Sequence, residues 1–415
     1  CNSTGATPFS TTGYTADFNG TSSASAIITG AALVVQGIAD ANLGYRFSAF
    51  EMRTLLSDPA TGTPSSNPAI DRIGVMPDLR AIINANAIGL APDVYMRDFV
   101  GDKGDPHTGA ISASPDIILR PVSESDPQAA FGEGSGTENS DSLGFGAKAG
   151  QSNFIYVRVR NRGGSDAANV GAEVYWSPVA SLVTPDLWTR VGSTVIPSVQ
   201  AGNVLTVSNA ITWLSADIPG AGHYCFVGLI GNAADPAPVP GDLLDWDKFQ
   251  DFIRHNNNVT WRNFNVVGIE PDPAADPSGY AAMEFLAPGA PDRARRMRLE
   301  VVAQLPKDSR VLLEMPRAMY DVLPERVPAR FDRAGQKALV PVNPHGLRSF
   351  GEMLFPAKSR AKLRLLVRVP KENREMAYEV FVRQVYKDLE VGRVTWRLTH
   401  LDEVRQVSSK KRART

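Results

Sequence analysis

Beyond residue 150 the apolar side chains fall on every second position. Ile155, Val157 and Val159 alternate with Tyr156, Arg158 and Arg160, and only an extended strand brings positions i, i+2 and i+4 onto one face. Asn161 to Gly164 turns the chain, and Val170, Ala172, Val174 and Trp176 form the next stripe. Val204 to Trp213, Cys225 to Ile230 and Val259 to Val267 follow. Strands in succession, parted by Gly, Pro and Asn turns without helical patterns, predict an antiparallel sandwich, with Trp176, Trp188, Trp213 and Trp261 as filling. After a Pro-rich joint (Pro271, Pro273, Pro277) the alternation returns: Leu363, Leu365, Val367 and Val369 face one way, Lys362, Arg364 and Arg368 the other. Val380 to Tyr386 and Val394 to Leu398 read as paired strands joined through Lys387 to Gly392, which predicts a second all-strand unit.

Residues 1 to about 92 keep a different period. From Ser22 to Ala39 apolar residues occur on nearly every side (Ala24, Ile27, Ile28, Ala31, Leu33, Val34, Val35, Ile38), the pattern of a helix submerged in a larger core. A second helix starts at Ser48, with Glu51 at capping-box spacing, and closes at Asp58-Pro59. A third begins at Pro77, with Leu79, Ile82 and Ile83 as its stripe. A submerged helix needs partner strands, and this segment supplies almost none. The domain therefore reads as incomplete.

At 415 residues, the chain exceeds what one core supports. Its 43% hydrophobic and 21% charged content is that of a folded globular protein. The apolar window Ala24 to Ala39 is too short to cross a bilayer, so no transmembrane segment is expected. Cys1 and Cys225 alone exclude a disulfide framework and a Cys-x-x-Cys metal or redox site. A start at Cys1 without a basic and apolar leader reads as a cut end or a lipid-bearing terminus, the latter on a bacterial envelope. Residues 1–270 hold 15 basic and 26 acidic side chains, a balance of −11, whereas residues 271–415 hold 28 and 18, a balance of +10. The asymmetry reflects how the faces of separate domains are filled, and it also predicts contact of the C-terminal domain with an anionic surface. No specific nucleic-acid signal accompanies it.

The sharpest motif is Asn19-Gly20-Thr21-Ser22-Ser23-Ala24-Ser25-Ala26-Ile27-Ile28. A serine in the first turn of a helix sits at the positive end of the dipole, and its own N–H is free to stabilise an oxyanion. Gly20 lets a substrate carbonyl approach, and the small Ala24 lets the helix pack. The run resembles the nucleophile motif of subtilisin-like serine peptidases. Tyr14 to Phe18 is similar to the strand that leads into that motif, Glu51 to Leu56 to the family's next helix, and Asp71 to Leu79 to its closing stretch. The match spans roughly the first 90 of 415 residues and departs at Ala26 and Ile27, where the family has Pro and often His.

The resemblance implies a serine endopeptidase whose Ser22 attacks a peptide carbonyl to give an acyl-enzyme, with a histidine as base and an aspartate orienting it. In that family both partners precede the serine, yet Asp17 is the sole carboxylate among the first 21 residues and no histidine occurs there. All five histidines, His107, His223, His255, His345 and His400, come later, and the family's upstream oxyanion asparagine is not matched by Asn2 or Asn19. Removing the base lowers turnover about a millionfold in subtilisin itself, so the chain alone is expected to be inactive.

Ser114 to Ile117, Phe154 to Gly163 and Asn256 to Val259 resemble the bacterial, immunoglobulin-like CARDB sandwiches, which implies a binding or spacer role. The expected fold class is multidomain: a truncated α/β subtilisin-like segment, mostly helical in what remains, followed by two all-β immunoglobulin-like sandwiches. Its parts are residues 1–92 (peptidase portion), 93–112 (linker), 113–268 (CARDB-like sandwich), 269–279 (Pro-rich linker), 280–400 (second sandwich) and 401–415 (basic tail). The alternative is a non-enzymatic bacterial surface adhesion protein, and either reading places the chain outside the cell or on its envelope. No cofactor or metal is expected: Asp98, Asp102 and Asp105 lack a calcium-loop spacing and read as turn residues. Gly132, Gly134 and Gly136 lack the strand and helix of a phosphate loop. His223 reads as a packed sheet residue. Asn2, Asn19 and Asn258 match the glycosylation triplet.

Overall fold

The computed structural model describes residues 20–43, 45–70, 74–86, 88–89, 91–107, 110–141, 143, 147–220, 223–269 and 279–399. Cys1, Asn2, the Tyr14 to Phe18 segment with Asp17, Asn19, residues 71–73, the Pro271 to Pro277 joint, His400 and the basic tail lie outside the described residues. The chain divides into two units, Cys1–Asp93 with Gly163–Asp166 and Val94–Arg162 with Ala167–Thr415.

The first unit holds helices α1 (Thr21–Leu43), α2 (Ala49–Leu56) and α3 (Leu79–Ala85), and a two-residue strand pair, β1 (Gly62–Thr63) with β2 (Met76–Pro77). The capping box forms as its spacing predicts: Glu51 N–H donates to Ser48 Oγ at 3.3 Å, and Ser48 N–H donates to Glu51 Oε2 at 2.7 Å. Asp78, rather than Pro77, caps α3. Helix α1 departs from expectation. Only the stripe Ala31, Val35 and Ala39 is buried, against Met52, Leu56, Ile82 and Ile88, while Ile27, Leu33 and Val34 are 50%, 69% and 47% exposed. Apolar residues on every side did not mean burial on every side, because the described neighbours, two short helices, cover one face. The helix also outruns the apolar window read from sequence: Thr21–Asn42 is long and apolar enough to cross a membrane by length and composition.

The second unit opens with β3 (Val94–Tyr95), β4 (Ile117–Arg120), a short helix α4 (Pro127–Phe131), β5 (Asn153–Asn161), β6 (Ala167–Ser177), β7 (Thr189–Val199), β8 (Thr206–Val207), β9 (Ile211–Trp213), β10 (Cys225–Gly231), helix α5 (Trp246–His255) and β11 (Val259–Arg262). One sheet runs β11-β10-β6-β7; in the other, β5 pairs with β3, β4, β8 and β9. Both are antiparallel. Between them lie Ile117, Ile155, Val157, Val159, Val170, Val174, Trp213, Phe226 and Ile230.

Strand β10 is buried on both faces, since Phe226 and Ile230 enter this core while Cys225, Val227 and Leu229 enter a second one with Trp246, Phe249 and Phe252 of α5. A strand covered on both sides reads as a continuous apolar run, as Cys225 to Ile230 does. Tyr156 and Arg158, the polar side of the alternation in β5, are also buried. Arg158 reaches Asp116, which Arg97 grips from the other side. Arg97 donates through Nε at 3.0 Å and a terminal nitrogen at 2.6 Å, Arg158 through Nε at 3.1 Å. Backbone carbonyls of Pro115, Thr137 and Glu138 accept from the guanidinium groups as well.

The second sandwich is built from β12 (Phe264–Gly268), β13 (Ala281–Pro288), β14 (Arg295–Gln304), β15 (Arg310–Pro316), a turn of helix α6 (Arg317–Tyr320), β16 (Arg330–Phe331), β17 (Lys337–Val342), β18 (His345–Phe355), β19 (Arg360–Arg368), β20 (Tyr378–Tyr386) and β21 (Leu389–Thr399). Its sheets run β12-β21-β20-β14-β18 and β13-β19-β15-β17-β16. Leu363, Leu365 and Val367 point inward as the alternation predicts, and β20 meets β21 through Lys387 and Asp388, both at positive φ (47° and 66°), the geometry of a tight hairpin.

The stretch read as one strand, Val259 to Val267, bends at Asn263. Its first half pairs with β10, and its second half joins the other sandwich alongside β21, in parallel. The Asn263 amide donates to the carbonyls of Ala180 at 2.6 Å and Arg393 at 2.7 Å. Its N–H donates to Ser112 O and its carbonyl accepts from Thr395 N–H. A Cβ on Gly392 would stand 2.3 Å from Ser181 O, so only glycine admits this approach. Ser181 then hydrogen-bonds Gln384 at 2.7 Å across the junction.

Asp116→Ala leaves two buried guanidinium groups without their carboxylate, a loss of about 3–5 kcal/mol. Urea unfolding followed by tryptophan fluorescence is expected to show it, whereas Glu173→Gln at the exposed Arg190 pair is expected to stay within about 0.5 kcal/mol.

Candidate functional site

Ser22 stands on the first turn of α1, exposed, as are Gly20, Thr21 and Ala24. Gly20 has φ +87° and its carbonyl accepts from Ala24 N–H at 3.1 Å, which closes the first turn. The N–H groups of a first turn have no acceptor within their helix, and this is the electrostatic setting the motif predicts for Ser22. The sequence of this unit contains no histidine, so the described residues place no imidazole in the unit that carries Ser22. His107, His223, His255 and His345 belong to the second unit.

The aspartates read as turn residues have divided roles. Asp105 pairs with Arg162. Asp98 and Asp102 instead converge, each 8% exposed, and His107 joins them, which the sequence reading did not foresee. His107 Nε2 lies 3.2 Å from Asp98 Oδ2 and 3.8 Å from Asp102 Oδ2. Thr260 Oγ1 of β11 donates to Asp98 Oδ1 at 2.5 Å; the N–H groups of Asp98 and Gly104 donate to Asp102, each at 2.8 Å. Loss of water around Asp98 pushes its carboxyl up to about 6, against the hydrogen bonds from His107 and Thr260 that pull it down. The edge of the Phe99 ring meets His107 at 5.1 Å between centroids. The signal was present in the chain as Asp-x3-Asp-x4-His, a spacing that only the turn after β3 makes into a cluster.

A groove of about 540 Å³ lies in the second unit, lined by Pro178, Val179, His223, Tyr224 and Leu286 together with Glu284, Glu314, Lys337, Lys362 and Arg364. Glu314 accepts from Lys337 Nζ at 2.8 Å and from Arg364 at 3.0 and 2.7 Å. His223 is exposed here, not packed into the sheet. Several arginines of this part are held in ion pairs: Arg298 and Arg383 with Glu300, Arg393 with Glu390, Arg397 with Asp141 and Glu379. Burial pushes the Cys225 thiol up, away from the reactive thiolate. Asn258 is buried with its amide on Val94 O at 3.1 Å, which closes that glycosylation triplet to modification in the folded chain.

No family model matches the chain, and no curated protein does. Among solved structures it is similar to red sea bream transglutaminase at 11% identity and a TM-score of 0.18, over 61% of this chain and 29% of that one. It is likewise similar to a mutant of the CFA/I adhesin CfaE of enterotoxigenic Escherichia coli (8%, TM-score 0.18, 75% of this chain and 94% of that one). The CupB6 tip adhesin of Pseudomonas aeruginosa gives 10% and 0.17, over 75% and 98%. The chain thus spans under a third of the transglutaminase, and likenesses this slight carry no argument for a family or an activity. What stands on the coordinates is a chain with two fused β-sandwiches.

Proposed function

We propose that the chain is a binding module, two fused β-sandwiches that present the groove around Glu314 to a partner with both apolar and charged groups, such as a peptide segment. The groove itself carries the reading: it joins apolar side chains to a fixed set of charges, the composition of a recognition site. A surface or extracellular setting fits such a module and belongs to the same proposal. Peptides selected on the wild-type chain from a random library are expected to lose about tenfold in affinity toward Lys362→Glu, which inverts one exposed charge of the groove. Equal affinity for both would overturn the reading.

Glu314 holds Lys337 and Arg364 in place within the groove. Burial alone would raise its carboxyl, but hydrogen bonds from Arg364 and Lys337 outweigh it and hold the group below its ordinary 4.5. A depressed carboxylate adds stability that is present above the unfolded value and lost as pH falls through the folded one. Glu314→Gln is expected to unfold about 1–2 kcal/mol earlier than wild type at pH 7. The gap is expected to close in acid below 4.5, and a gap independent of pH would refute the pairing.

A second reading makes the chain the C-terminal part of a subtilisin-like serine endopeptidase. The exposure of Ser22 in the first turn after Gly20 favours it, since a nucleophile needs access and a helix dipole. The chain alone is expected to leave a fluorophosphonate probe unreacted, for want of its base. A longer product of the same reading frame, bearing the upstream aspartate and histidine, is expected to be labelled, and Ser22→Ala to remain unlabelled. Labelling that survives Ser22→Ala would eliminate this serine as nucleophile.

A further inference from the structure

The turn between β3 and the bridge at Ala113 brings together three donors of mixed chemistry. We infer that Asp98, Asp102 and His107 form a binding site for one first-row divalent cation of the zinc class. Their donor atoms lie within 4.8 Å of one another. The separations from His107 Nε2, 3.2 and 3.8 Å, bracket the edge of about 3.3 Å that a tetrahedral ion with bonds of about 2.0 Å sets between its ligands. An adjoining cavity of about 10 Å³, lined by the same side chains, is the size of a single ion or water.

The donor set also selects the ion. Imidazole with carboxylates suits zinc and its first-row neighbours, whereas calcium takes six to eight oxygens. Supports stand behind two of the ligands. Thr260 holds Asp98, and the N–H groups of Asp98 and Gly104 hold Asp102, the kind of outer hydrogen bonding that orients ligands around a metal. Two carboxylates kept from water concentrate negative charge, which a dication answers more fully than a single imidazole. Bound there, the ion ties the loop at residues 98–107 to β11 through Thr260, so its role is to brace one end of the first sandwich.

The test is a titration of the full, untagged, chelator-treated chain with Zn²⁺ by calorimetry, and with Co²⁺ followed by visible absorption. One equivalent is expected to bind, with Co²⁺ giving a tetrahedral d–d spectrum and Tm rising by about 5 °C at a hundredfold excess of Zn²⁺ over Kd. Asp102→Asn and His107→Gln are expected to lose at least a hundredfold in affinity. Thr260→Val is expected to lose about tenfold as a supporting group, and Asp105→Asn, which lines the cavity but pairs with Arg162, to bind as wild type. Far-UV circular dichroism confirms that each variant is folded, and the two separate ligand variants keep the test open if one is not. Absence of saturable binding by the wild type, unchanged binding by folded His107→Gln, or tighter binding of Ca²⁺ than Zn²⁺ would overturn the assignment.

Discussion

One carboxylate holds the first sandwich together at its least forgiving point. Asp116, 1% exposed, lies between Arg97 and Arg158, at 3% and 0%, and takes hydrogen bonds from both. Two guanidinium groups removed from water are costly unless they are paired and hydrogen-bonded. Here Asp116 supplies the charge, and the carbonyls of Pro115, Thr137, Glu138 and Ser140 add further acceptors. Those carbonyls belong to a segment with little regular structure, so the buried arginines order it as much as it covers them. Arg97 is the residue before Asp98, and its backbone N–H also donates to Asp116 at 2.7 Å. The Asp98, Asp102 and His107 cluster thus begins one residue from Arg97, which three hydrogen bonds to Asp116 hold in place, as a preorganised site requires.

Much of the strand architecture was legible because sandwich strands alternate. The inward set Leu363, Leu365 and Val367 and the hairpin at Lys387 were visible in the residues, as was the capping box at Ser48. What was not legible followed from burial that the local pattern does not encode. Arg158 looks like a solvent-facing residue until a loop covers it. The bend at Asn263 was invisible for a related reason: an asparagine within an apolar run gives no sign that its amide will bridge Ala180 and Arg393. Helix α5 is a different case, legible but passed over: Trp246, Phe249 and Phe252 recur every third position in a polar run behind Asp245, which caps the helix, the pattern of an amphipathic helix.

The candidate sites divide in the same way. Ser22 was found from a motif, and the motif's local consequence, an exposed first turn after a glycine at positive φ, is what the coordinates hold. Its consequence for packing did not follow, since α1 buries one stripe rather than its whole circumference. The Asp98 cluster had the opposite fate. Its residues were noticed as a loop of aspartates and set aside, because spacing alone does not tell whether side chains converge or splay. Asp105 splays toward Arg162, and His107, five residues past Asp102, converges.

The strand divided at Asn263 makes the two sandwiches unequal heirs of one segment. Residues 259–262 complete a sheet on one side and residues 264–268 line the margin of a sheet on the other, so a cut at Asn263 would leave each sandwich its own strands. It would still lay bare what they share, since Trp246, Phe249 and Phe252 of α5 and Cys225, Val227 and Leu229 of β10 lie in one core with the second sandwich. Severed there, each partner would turn an apolar flank to water, the kind of surface that invites aggregation.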